Sequence, residues 1–132
     1  MKRWGSAVVR HAGRTRPGEL LPGMRVEDVF TPAERVRSAG PTLEHWAGRL
    51  AGKRAVLKLL GLPATARHLS GVEILPQPTT ECRADAACLD GHPPAVRLRG
   101  ELARTGARGI RVSISHTTGH ALAVALRVPG ES

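Results

Sequence analysis

A chain of 132 residues supports one domain, and a domain of that size buries roughly 65–70% of its unfolded surface, so it folds without staples. Hydrophobic residues make up 41% of the chain but aromatics only 2% (Trp4, Phe30 and Trp46), so the core has to come from Leu, Val, Ile and Ala. The net charge of +9, from 20 basic and 11 acidic residues, favours an anionic partner: a nucleic acid, an acidic protein or a phosphorylated cofactor.

No run of about 18 apolar residues occurs, so no membrane span is expected. Met1-Lys2-Arg3-Trp4 lacks the apolar stretch of a signal peptide, and the expected location is the cytoplasm. Residues 5–10 then predict a short strand. Gly13, Pro17, Gly18, Pro22 and Gly23 break the chain after it. Thr31-Pro32-Ala33-Glu34 is a sharp helix start: a capping hydroxyl, proline at the first helical position, and a glutamate placed to close a capping box. Gly40 and Pro41 end this helix, and Thr42 is read as the cap of a longer one running to about Leu60. Gly61 is the expected left-handed terminus, with Pro63 just beyond. Leu43, Trp46, Ala47, Leu50 and Leu57 define the buried stripe, and Arg54 falls on or beside it.

Residues 71–75 predict a strand, 76–94 a long proline-containing loop, and 95–99 a half-buried strand. A short helix over about 100–107 precedes a strand at 110–115, and residues 120–128 form the last strand. The order β-α-α-β-β-α-β-β gives an α+β domain, residues 1–132, with a mostly antiparallel sheet. Cys82 and Cys88, the two cysteines, lie in the long loop and read as free thiols in a reducing compartment. A zinc site would need two further ligands, for which His68 and His92 are nearest.

Three constellations carry chemistry. The long helix presents Arg49, Lys53, Arg54 and Lys58, with two like-charged pairs four residues apart. Each such pair costs roughly 0.2–0.5 kcal/mol on an isolated helix, a cost that a bound polyanion would offset. Two of the chain's three lysines sit in this segment. The second constellation is Val112-Ser113-Ile114-Ser115-His116-Thr117, a strand end with hydroxyls and an imidazole at its mouth. His116 there is a base, a phosphate ligand or a passive turn residue. The third is Gly91-His92-Pro93-Pro94, a rigid loop able to present a flat apolar surface to a base. Neither a serine-hydrolase elbow nor a Walker-type phosphate loop is present.

In order, these pieces resemble the holo-acyl-carrier-protein synthase family, the short phosphopantetheinyl transferases. The resemblance rests on Phe30-Thr31-Pro32-Ala33-Glu34, on the helix from Arg49 through Lys53-Arg54-Ala55 and Lys58 to Gly61, on Gly91-His92-Pro93, on Ser113-Ile114-Ser115-His116, and on Ala121-Leu122-Ala123-Val124. It implies a homotrimer with sites between subunits. It also implies transfer of 4′-phosphopantetheine from coenzyme A to a serine of an acyl carrier protein. On it, Arg49, Lys53, Lys58, Gly91, Pro93, Ser113 and Ser115 are the expected coenzyme-binding residues, and Arg54, Lys58 and His116 the expected catalytic ones.

The family's magnesium is held by an acid in the first strand and by a glutamate after the helix lysine, as suits a hard dication. Here Arg54 replaces the glutamate, and the acid falls at Val8 or Val9, with no acid before Glu19. Magnesium is therefore doubtful. The loop at 76–90 is about ten residues longer than the family's. Three readings follow: a carrier-protein and coenzyme A binder whose chemistry is lost or made metal-independent, a transferase with a rearranged metal site, or a basic nucleic-acid-binding module. The last lacks stacking aromatics and any nucleic-acid motif, so a nucleic-acid partner is not expected.

Overall fold

The computed structural model describes residues 2–76 and 94–128. Strand β1 (Trp4–Arg10) leads through a 3₁₀ turn to the short helices α1 (Val26–Val29) and α2 (Pro32–Ser38). The long helix α3 (Glu44–Leu60) and the short α4 (Ala66–Ser70) follow, then strands β2 (Val72–Pro76) and β3 (Pro94–Leu98). A 3₁₀ helix over Gly100–Thr105 precedes β4 (Ile110–His116) and β5 (His120–Arg127). Two antiparallel sheets result: β1-β5-β4, and the pair β2-β3. The expected α+β class and strand order hold.

Alternation along the strands decides which face the helix covers. Gly5, Ala7 and Val9 of β1 and Ala121, Ala123 and Ala125 of β5 are buried, while Trp4, Val8, Leu122, Val124 and Leu126 are exposed. The inner face is small, so α3 lies close, through its own Ala47, Ala51 and Ala55. A Cβ on Gly5 would collide with the backbone carbonyl of Ala55 and stand 2.8 Å from the Leu59 nitrogen. On another side of α3, Trp46 meets Phe30 edge-on with centroids 5.0 Å apart, among buried Leu21, Leu50, Leu57 and Leu69. Twelve of the 17 residues of α3 are buried, so it is a central helix rather than a surface helix with one apolar stripe.

The helix ends fall partly as expected. Thr31 caps α2 with the full capping box, and Gly61 closes α3 with φ 75°. Thr42 does not cap α3: Leu43 occupies that position and supplies no side-chain cap, because its burial fixes where the chain turns inward. The helix expected near 100–107 is a 3₁₀ segment bounded by Gly100 and Gly106, both at positive φ. Helices α1 and α4 were not foreseen; at four and five residues they are too short to show a period.

Candidate anion-binding site

The four cations of α3 separate into two interior and two outer groups. Lys53 is fully buried, and its ammonium sits 2.7 Å from Glu34 while donating to the carbonyls of Leu69 and Val72 at 2.8 and 2.6 Å. Three protein acceptors match its three N–H groups, so Lys53 is not a surface ligand for phosphate and the expectation for it is corrected. Burial lowers its pKa and Glu34 pushes it back up. Glu34 also accepts from the nitrogens of Thr31 and Ile74, and Thr31 donates to Glu73 at 2.6 Å. This network clamps α2, α3 and β2 together.

Arg49 is buried too, but it lines a cleft. Its Nε donates to the Ile74 carbonyl at 2.9 Å and one Nη to Ser38 at 3.0 Å, which leaves further N–H groups free of these bonds. The cleft holds about 490 Å³ between the start of α3, the end of β4, the end of β2 and the start of β3. Arg37, Glu44, His45 and His116 supply its polar lining, and Ile74, Leu75, Pro94 and Ile114 its apolar walls. Burial holds the His116 imidazole below its ordinary pKa, and His45 and His11 add to that, while Glu44 opposes it.

Arg54 and Lys58 lie elsewhere. Six residues separate Gly48, which touches the His116 ring, from Arg54: about 9 Å along the axis and about 120° around it. Arg54 is half-buried and makes no hydrogen bond or ion pair with the described residues; burial lowers its pKa. Lys58, one turn on, is exposed and lines a second cleft of about 450 Å³ with Lys2, Arg3 and Ser6. Within one chain, His116 therefore does not join Arg54 and Lys58. Ser113 and Ser115 alternate onto the outer face of the sheet, opposite Val124 and Leu122, away from the cleft that His116 enters. Gly91 and Pro93, like Cys82, Cys88 and His92, lie outside the described residues. His68, one of the two histidines nearest the cysteines in sequence, bonds the Pro63 carbonyl at 2.8 Å through Nδ1 and faces Glu101 through Nε2.

Magnesium does not fit these residues. Val9, on the face of β1 toward α3, is 4% exposed and apolar, Val8 points outward, and position 54 carries a cation. No group of three His, Cys, Asp or Glu among the described residues is arranged to hold a metal. Sequence reasoning missed Arg37 and His45. The second had a signal, since it stands four residues before Arg49 and hence one helical turn away.

The architecture is an antiparallel α+β domain wrapped on one central helix, with cationic clefts near both ends of that helix. No family model matches the chain. It is 35% identical over 131 residues, 94% of this chain and 87% of the relative, to a holo-[acyl-carrier-protein] synthase of Desulforudis audaxviator. A second such synthase, of Caldanaerobacter subterraneus, is 31% identical over 109 residues, covering 81% and 80% of the two chains. The chain belongs to the holo-acyl-carrier-protein synthase family. Among solved structures it matches the synthase–coenzyme A complex of Chronobacterium ammoniagenes with a TM-score of 0.69 and 26% identity over 94% of each chain. It matches the acyl carrier protein synthase of Mycobacterium tuberculosis with a TM-score of 0.62 and 27% identity over 93% of each. Among the described residues no helix is long and apolar enough to cross a membrane.

Proposed function

We propose that this chain binds an acyl carrier protein and the pantetheine or coenzyme A group, and that the family's magnesium-dependent transfer is lost or exchanged for metal-independent chemistry on a carrier-bound acyl thioester. One observation carries the proposal: a half-buried guanidinium without a partner among the described residues, Arg54, stands where the family's pattern has a metal-binding glutamate. A desolvated arginine is stabilised by an anion, and Lys58 one turn away supplies a second cation for the same diphosphate. The binding of coenzyme A by a solved relative supports the choice of ligand.

The two separated constellations are joined across copies of the chain. In this reading Arg54 and Lys58 of one subunit face the cleft of Arg49 and His116 of another. A homotrimer is supported by the exposed apolar outer face of the sheet, Trp4, Val8, Leu122, Val124 and Leu126, which carries Ser113 and Ser115 as well. His116, whose imidazole partial burial holds below its ordinary pKa, is the candidate to accept a proton as a base. The proposed setting is the cytoplasm, with residues 1–132 acting as a single domain.

A second reading is favoured by the relatives, both named as holo-acyl-carrier-protein synthases: an active transferase moving 4′-phosphopantetheine from coenzyme A to a carrier-protein serine. Intact mass of an apo-carrier protein incubated with this chain and coenzyme A, with magnesium or with chelator, separates the two. Coenzyme A binding that survives chelator, with no mass gain under either condition, supports the first reading. A gain of one phosphopantetheine that requires magnesium replaces it with the second.

A further inference from the structure

Three imidazoles gather where the cleft meets the start of α3. His116, at the end of β4, packs against Gly48: a Cβ there would stand 2.9 Å from its Cε1 and 3.3 Å from its Nε2. His45, in the first turn of α3, lines the same cleft. His11, just after β1, is 9% exposed, its Nε2 has no hydrogen-bond partner among the described residues, and its backbone N–H donates to the Gly119 carbonyl at 2.8 Å, beside the β4–β5 turn. The other charged groups at the cleft are Arg37 from α2 and Glu44 and Arg49 from α3; β2 and β3 contribute only Ile74, Leu75, Pro76 and Pro94. Leu43 offers no capping side chain, so the first-turn amides of this 17-residue helix add positive potential.

Without ligand, almost everything here opposes a charge on His116. Burial does so most, and the two neighbouring imidazoles add to it; Glu44 alone favours the imidazolium. An anion in the cleft reverses that balance, because a nearby opposite charge favours the protonated ring. We propose that coenzyme A, or another phosphate-bearing ligand, enters this cleft together with a proton that His116 takes up. The inference rests on the reading above that the cleft receives such a ligand. With the liganded pKa above the free one, protons are absorbed on binding, and affinity rises as pH falls through the window between them.

The test is titration calorimetry of the full chain with coenzyme A in buffers of high and low ionisation enthalpy between pH 7 and 8. The ligand's phosphomonoester, with a second pKa of about 6, is mostly ionised there. Net proton uptake is expected, with affinity rising by up to about tenfold per pH unit as pH falls, the limit for one proton. His116→Gln should lose the proton uptake, so that whatever affinity it keeps no longer rises as pH falls. In the wild type, the NMR titration midpoint of the His116 ring should move upward when coenzyme A is added. Binding with no uptake, uptake unchanged in His116→Gln, or a midpoint that stays in place overturns this inference and leaves the ligand assignment standing. No coenzyme A heat at any pH overturns both.

Discussion

The ammonium of Lys53 lies 2.7 Å from the Glu34 carboxylate, and neither side chain has any exposed surface. Breaking such a pair from one side leaves an uncompensated buried charge, which costs about 3–5 kcal/mol. Lys53→Met should therefore lower stability by about that amount in urea unfolding. Replacing both partners, as Glu34→Leu with Lys53→Met, should recover little. The pair also serves the carbonyls of Leu69 and Val72 and the nitrogens of Thr31 and Ile74, and an apolar substitute takes a partner from each of the four. A double variant as stable as wild type would show that the pair is dispensable to the clamp.

The local half of this relationship was legible in the sequence, and the distant half was not. Thr31-Pro32-Ala33-Glu34 announces a capping box because all its parts lie within one turn. Glu34 also binds Ile74, 40 residues on, and no local spacing encodes that. The helix cations suffered from the same limit. Period alone placed Arg54 beside the stripe, where it is half-buried, but it read Lys53 as a ligand because the elements closing over it come from elsewhere in the chain. His116 was named from its strand-end motif, while Arg37 and His45 became visible only once α2 and the start of α3 converged on the cleft.

Gly5 and Gly48 both admit α3 to close packing, but with different tolerance. The atoms that would meet a Cβ on Gly5 are the backbone of Ala55 and Leu59, fixed within the helix, whereas at Gly48 they are the His116 ring and a methyl of Ile114. Gly5→Ala should destabilise by at least the 1–3 kcal/mol typical of overpacking, about. Gly48→Ala gains about 1 kcal/mol of helix propensity, which offsets the displacement of movable side chains. Thermal unfolding should rank wild type and Gly48→Ala close together and Gly5→Ala well below; the reverse order would place the tight helix–strand contact elsewhere.

Val124 sits in the centre of the outer sheet face, paired with Ser6 and Ser113, and is 41% exposed in the single chain. If this face joins copies of the chain, Val124→Asp buries a carboxylate in the assembly and leaves it solvated in the monomer. Light scattering should give a trimer mass for wild type and a monomer mass for the variant, with unchanged far-ultraviolet circular dichroism. A wild-type chain that is monomeric at micromolar concentration would remove the trimer and, with it, the joining of Arg54 to His116.

Arg54 decides between the two functional readings. If its guanidinium takes the place of a metal beside the diphosphate, coenzyme A binding should be indifferent to chelator. Arg54→Ala should weaken binding by about 1.5–3 kcal/mol, the range for hydrogen bonds to charged groups. Lys58→Ala should act in the same direction but less, because Lys58 is exposed and its charge is screened by solvent. Arg54→Glu restores the family's residue yet should abolish binding, since a single carboxylate repels the diphosphate and, with Val9 apolar, holds magnesium poorly. Only Arg54→Glu combined with Val9→Asp supplies both acids. In that variant, thermal stabilisation by coenzyme A should reappear with magnesium and vanish with chelator. If the wild type already behaves that way, or Arg54→Glu alone yields a working transferase, the metal-free site is wrong and the chain is a transferase that draws its ligands from other residues.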